Sequence, residues 1–476
     1  MPSERRPDNP RLPALRLGPD GAPRIDYGAV AALSVPLMVN NGLQVAINLT
    51  DTWFVGRIST AALAGLAAIF WVVFCSVMLI GGIGLAVQTF VAQAEGGRRR
   101  RHASRAAWNG LWGGLATLPV CALLGYAGHA VVAPFGLDDA VAYQAVAFWQ
   151  PRLLGAPLTV MLWALFGFFN GIGRTRVTVF VTAFVCAANA AFNQLFIVEL
   201  GWGIAGSAWA TNTSMLCGVA ISAGIFLRRE FRERYWSHLT WRPRKVPLLR
   251  ELKLGLPMGI MGSSETASMA AFSLILTRLG PIDGAATQIV MMFTSVAYLP
   301  GIGLALAGTT LVGQAIGAGD VYWARRLGTT MIALTALYMG AIGLLLALLG
   351  PALVPLFVSA RDPHADLVIA LGRSLVWIAA AYQVFDGLQL GTSFALRGAG
   401  DVRVPTLIFF ALSWGLFVPL TYVLSFAPGQ GWFEAVPQLG FGAPGGWLAM
   451  LVDVVLLAAA LQWRWRSHRW QAIRLR

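Results

Sequence analysis

Along this chain, apolar residues gather in runs of roughly 20 or more, parted by short polar and mostly basic segments. A helix of about that length crosses the ~30 Å hydrocarbon layer of a bilayer. Twelve such runs are predicted as helices, at about 29–54, 62–93, 106–133, 143–168, 176–199, 204–227, 251–279, 284–314, 324–350, 367–396, 404–426 and 443–463. The runs are continuous rather than alternating, which favours helices over the strands of a barrel. Residues 1–28 have no apolar run and read as a cytosolic tail, with no cleavable signal peptide ahead of the first helix.

The polar pattern repeats as well. At an offset of 221 residues, Pro36 meets Pro257, Gly82 meets Gly303, Gln93-Ala94 meets Gln314-Ala315, Gly96 meets Gly317 and Arg105 meets Arg326. Further on, Gly171-x-Gly173 pairs with Gly398-x-Gly400, and Gly201-x-Gly203 with Gly440-x-Gly442. Order is kept across six helices, so each half holds six. An even number returns the chain to its starting side, and the halves are then related by a pseudo-two-fold axis along the membrane normal. The expected architecture is all-α: a tail 1–28, a six-helix lobe 29–227, a cytosolic link 228–250, a second lobe 251–463 and a basic tail 464–476.

Composition agrees, with 57% apolar and 12% charged residues, about half the charge of a soluble chain. The net charge of +14 raises a nucleic-acid reading, which its distribution removes. Arg5, Arg6, Arg11 and Arg16, then Arg98 to Arg101, the stretch Arg228 to Lys253, Arg325-Arg326 and Arg464 to Arg469 fall in alternate loops. That is positive-inside bias, placing both termini in the cytosol, with basic residues facing anionic lipid rather than nucleic acid. The four cysteines and five histidines have no metal or catalytic spacing.

Chemistry is expected where carboxylates interrupt apolar helices, since a charge there is costly unless it faces a cavity or a partner. Asn41, Gln44, Asn48 and Asp51 share one face of the first helix, with Asn40 and Thr52 beside them. Asn189, Asn193 and Thr211 extend this to a polar pocket in the N-terminal half. Pro36, inside the first helix, is expected to kink it, and Pro257 is its repeat partner. In the second half Glu265 takes the place of Gln44, and Asp386 lies between Gln383 and Gln389. Asp453, in the last helix, stands apart from polar neighbours, and packing suits it as well as function.

Pro36 with Asp51-Thr52, Val91-Ala-Gln93-Ala-Glu-Gly96, Val312-Gly-Gln314-Ala-Ile-Gly317, Pro257 with Glu265, and Asp386-Gly-Leu-Gln389 before Leu396-Arg397-Gly398 carry a resemblance. The chain resembles the MATE (multidrug and toxic compound extrusion) transporters, and in its second half their NorM-type branch. The resemblance implies a monomeric exporter in a bacterial inner membrane, exchanging H⁺ or Na⁺ for small organic cations by rocker-switch alternating access, with no cofactor beyond the coupling ion. It implies that Asp51 is the ion-coupling acid of the first lobe, with Asn189, Asn193 and Thr211 as its network. Glu265 and Asp386 become cation-site acids of the second lobe, a place for Na⁺. Members of that family often carry Asp where this chain has Asn193, which leaves the first site one charge poorer. The other readings are a flippase for lipid-linked glycans, a membrane scaffold, a passive channel and an intramembrane enzyme. The flippase would want Arg or Lys at mid-membrane, whereas Arg152, Arg278 and Arg373 sit near predicted helix ends; the enzyme would want a nucleophile–base pair that is missing here.

Overall fold

A computed structural model describes residues 12–358, 363–433 and 436–473. Twelve helical spans follow in order: α1 Tyr27–Gly56, α2 Thr60–Gly96, α3 Arg100–Tyr126, α4 formed by Asp139–Leu154 and Ala156–Gly171, α5 Thr175–Glu199, α6 Gly203–Phe226, α7 Lys245–Leu279, α8 Pro281–Gly317, α9 Val321–Phe357, α10 Ala365–Ala399, α11 Arg403–Ser425 and α12 Gly442–Arg466. Local chemistry sets their ends. Asp26 accepts from the Gly28 and Ala29 amides at the start of α1, Ser59 does so from Ala62 for α2, and Asp320 from Trp323 for α9. The two pieces of α4 meet at 45°, where Gly155 and Pro157 interrupt the hydrogen-bond ladder. Among the described residues, nine of the spans pass as membrane-crossing on length and hydropathy, and bent pairs raise this to eleven. The remaining one, α7, is 35 residues long, and Ser263, Ser264, Glu265, Thr266 and Ser268 dilute its hydropathy. Helix α1 runs unbroken through Pro36.

Helices α1–α6 and α7–α12 form two bundles related by a pseudo-two-fold axis, and the repeat glycines make their seams. A side chain on Gly82 of α2 would strike the backbone of Gly255 and Gly259 on α7, and one on its repeat partner Gly303 of α8 would strike that of Leu37 and Met38 on α1. Small residues let backbones approach this closely.

Toward the side carrying the basic link, the seam becomes a reciprocal lock. Gln93 Nε2 donates to the carbonyl of Gly398 at 3.1 Å, and its repeat twin Gln314 donates to that of Gly171, the twin of Gly398, at 2.8 Å. Gly96 lies on the backbone of Gln314, and Gly317 on that of Gln93. Gln88 donates to the Leu306 carbonyl (3.1 Å) and to Thr310 Oγ1 (3.0 Å), and Arg397 to that of Leu85 at 2.7 Å. Toward the opposite side, the last hydrogen bond between bundles among the described residues is from Cys75 Sγ to the Ser263 carbonyl at 3.6 Å. Gln93→Leu and Gln314→Leu should each weaken closure by about 1 kcal/mol, read as a broader inter-lobe distance distribution between spin labels on the link side.

The segments expected as tails are folded against the bundles, as far as they are described; Arg5, Arg6 and Arg11 lie outside the described residues. Leu15–Leu17 (β1) and Pro23–Ile25 (β2) form an antiparallel hairpin with Leu15 opposite Ile25. It docks on α9, where Trp323 Nε1 donates to the Pro13 carbonyl at 2.9 Å and Arg326 to that of Pro23 at 2.8 Å. At the other end Trp470 stacks on Trp465 with centroids 4.5 Å apart, and Arg464 pairs with buried Asp401 at 2.6 Å. The link holds a short helix, Arg229–Tyr235, whose Phe231 and Tyr235 pack on Phe168, and α7 begins at Lys245 rather than 251. Aromatic side chains explain all three departures, for they bury against the bundle ends even where neighbouring charges read as solvated.

Candidate functional site

The N-terminal pocket forms as its residue types suggest. Asn189 and Asn193, one turn apart on α5, both donate to Asp51 Oδ1, at 3.0 and 2.7 Å, and Thr211 of α6 donates to Oδ2 at 3.0 Å. Both asparagines are fully buried. Three donors aimed at one carboxylate make a site for a negative charge or for the proton that cancels it.

The rest of the α1 stripe does not join it. Asn41 donates to the Leu37 carbonyl of its own helix at 2.9 Å, Gln44 is half-buried, and Asn48 is exposed. A helical face rises about 1.5 Å per residue, so Asn41 lies some 15 Å along the axis from Asp51. Sharing a face is not sharing a site. Asn40, set beside the stripe, is instead buried, and accepts from Thr182 of α5 at 2.6 Å.

Arg152 also departs from expectation. It belongs to the bent span α4, next to the break, and not to a helix end. Asn212, beside Thr211, donates to the carbonyl of Pro151 at 2.6 Å, which brings Arg152 close enough for its charge to act on Asp51. No ion pair closes between them, and the buried Nη1 has no partner.

In the second lobe Glu265 and Asp386 stand in one cluster. Tyr298 of α8 donates its hydroxyl to Glu265 Oε1 at 2.6 Å. Asp386 is buried, its Oδ2 has no partner, and Glu265 is near enough to act on its charge. Gln389 contributes only a 3.5 Å contact, at the limit of a hydrogen bond, because it is i+3 on the same helix. Tyr382 lies against Asp386 and within electrostatic reach of Asp453. Asp453 is therefore buried beside this cluster rather than isolated, with Oδ1 unpartnered. Sequence reasoning passed over Tyr298 and Tyr382; aromatic hydroxyls set one helix away from an intramembrane acid were the available signal. Among the described residues, no basic group acts on Glu265, Asp386 or Asp453. The lobes thus differ in polarity: one acid with an arginine in the first, three acids with two tyrosines in the second.

Comparison with known proteins places this arrangement. A family model described as MatE matches residues 36–195 and 257–423. A protein of Mesorhizobium japonicum described as "Probable multidrug resistance protein NorM" is 31% identical, the alignment covering 94% of this chain and 95% of that protein. One of the same description from Burkholderia mallei is 32% identical, over 92% of each. Among solved structures, "Outward-facing conformation of a multidrug resistance MATE family transporter of the MOP superfamily" superposes with a TM-score of 0.80 at 20% identity, covering 92% of this chain and 95% of that one. That last likeness shows the fold, while the family model and the NorM relatives show the lineage: this chain belongs to the MatE family.

Proposed function

We propose that the chain exports small organic cations across the bacterial inner membrane, coupled to inward flow of H⁺ or Na⁺, with both termini in the cytosol. The observation that carries this reading is the pairing of a one-sided seam with an acid site in each lobe. Among the described residues, the lobes are hydrogen-bonded to each other on the link side and no further toward the other than Cys75 and Ser263, while Asp51 in the first lobe and Glu265 with Asp386 in the second make an acid site in each. Multidrug resistance in the names of the NorM relatives supports the cargo class. The units that rock are the lobes 29–227 and 251–463, and a single chain holds every part of the cycle.

Chemistry follows from the charge. In the second lobe the clustered carboxylates attract a cation, and protons or Na⁺ compete with the drug for them. Exchange of one H⁺ for one monovalent cation moves no net charge and draws about 1.4 kcal/mol per pH unit. A second ion per cycle adds about 2.3 kcal/mol per 100 mV of membrane potential. Ethidium uptake into inverted vesicles, under separately imposed pH and Na⁺ gradients, tests the proposal: a response to at least one is expected, and a response to neither overturns it.

A further inference from the structure

We propose that Glu251 and Asn109 form a third proton site, an acid–amide pair across the lobe seam that holds the link side shut only while Glu251 is protonated. It rests on the alternating-access reading above and adds a residue to it. By sequence Glu251 is one of three acids in the basic stretch Arg228 to Lys253 and the first residue of the predicted helix 251–279. In the structure it is 2% exposed, on the second turn of α7.

Its partner comes from the other lobe. Asn109 of α3, itself 1% exposed, donates Nδ2 to Glu251 Oε1 at 3.0 Å. The two atoms left over, Glu251 Oε2 and Asn109 Oδ1, are both buried and both without a partner. An ionised carboxylate and an amide oxygen are acceptors only, so neither can satisfy the other. A proton on Oε2 changes this. The carboxylic acid then donates to Asn109 Oδ1 while the amide donates to Oε1, and one added hydrogen satisfies both orphans in a two-bond ring. Buried polar atoms are rarely left unpaired, which makes the protonated pair the state that fits this seam.

The surroundings offer no other way to balance the charge. On the link-side turns of the packed elements the charged and titratable groups are Arg100, Arg101, His102 and Arg105 on α3, Glu95 on α2, Lys245, Arg250 and Lys253 on α7, and Arg403 at the start of α11; among the described residues none of them pairs with Glu251. Arg105 stands near the like charges of Arg101 and Arg244. Around the pair, Gly113 of α3 faces Leu248 of α7, so the seam is apolar on the turns beside it.

When the lobes part on this side, water reaches Glu251 and it releases its proton there; the ionised group then resists reburial. The closed form holds one more proton than the open form. Its population relative to the open form therefore falls as pH rises, by at most about tenfold per pH unit.

The test uses the full chain in nanodiscs, with spin labels at Arg99→Cys and Tyr322→Cys on the link side and no drug or gradient present. The inter-lobe distance should lengthen with rising pH. Glu251→Gln should stay closed at every pH, because two amides make the same ring, and should remove one protonated-carboxyl band from the infrared spectrum. Asn109→Leu should lower the closed fraction at low pH. An unchanged pH response in Glu251→Gln, or an infrared spectrum with no band lost, overturns the proposal. If ethidium transport fails while these distances respond, the export reading falls and the proton site stands; active export with pH-independent distances sinks the proton site alone.

Discussion

Asp51→Asn should leave a folded protein that moves ethidium at no more than about a tenth of the native gradient-driven rate, a change of at least about 1.4 kcal/mol in the driven step. The local geometry separates function from stability here. With asparagine, the retained oxygen still accepts from Asn189 and Asn193. The new amide nitrogen replaces Oδ2 and donates to Thr211 Oγ1, whose hydroxyl can reverse its role. Every bond is kept, so thermal stability in detergent should change by no more than about 1 kcal/mol. What disappears is the ability to gain and lose charge, since the amide stands permanently for the protonated acid. Native efflux in proteoliposomes of this variant, with its fold intact, would remove Asp51 from the coupling scheme.

Gly96→Val should hold the link side open. Its Cβ would fall on the backbone of Gln314, and a backbone cannot swing aside as a flexible side chain can. Overpacking costs about 3 kcal/mol at the upper end of the usual range, and here it falls on the closed state alone, because only closure brings the two helices together. That is on the order of a hundredfold in the closed-to-open ratio. Spin labels across the seam should move apart, and efflux should fall with them, while each bundle keeps its helices. Gly42→Ala on α1, with nothing within 4 Å of the added carbon, serves as the control and should change neither. A closed seam and native efflux in Gly96→Val would mean that this contact is not part of the cycle.

Much of this site was legible beforehand, for reasons tied to the solvent. Hydrocarbon punishes any polar atom left without a partner, so Asp51, Asn189, Asn193 and Thr211 in apolar helices announced a shared pocket before any fold was known. The same logic drew Glu265 and Asp386 together. It overreached along α1, where Asn41 and Gln44 have the right face but the wrong height, and Asn48, one turn from Asp51, is exposed. It missed Arg152, because a bend at Gly155 lengthens the span and turns a supposed helix end into its middle. It left Asp453 open between packing and function, its neighbour Tyr382 lying two helices away, and it missed Tyr298, whose partner Glu265 stands on the preceding helix.

The sequence by itself determined the helices, their number and their two-fold order, because run length, basic loops and a 221-residue repeat are local or periodic properties. It also determined which polar groups had to find partners. Tertiary structure alone decided which partners they found. That Gln93 bonds the carbonyl of Gly398 while Gln314 bonds that of Gly171 depends on two bundles meeting at one angle and one height. That Glu251, the first residue of its predicted helix, is buried in the seam rather than at a solvated helix end depends on α7 starting a turn and a half earlier than its apolar run. Burial against another lobe has no signature in a residue's own neighbourhood, and only the packed chain can supply it.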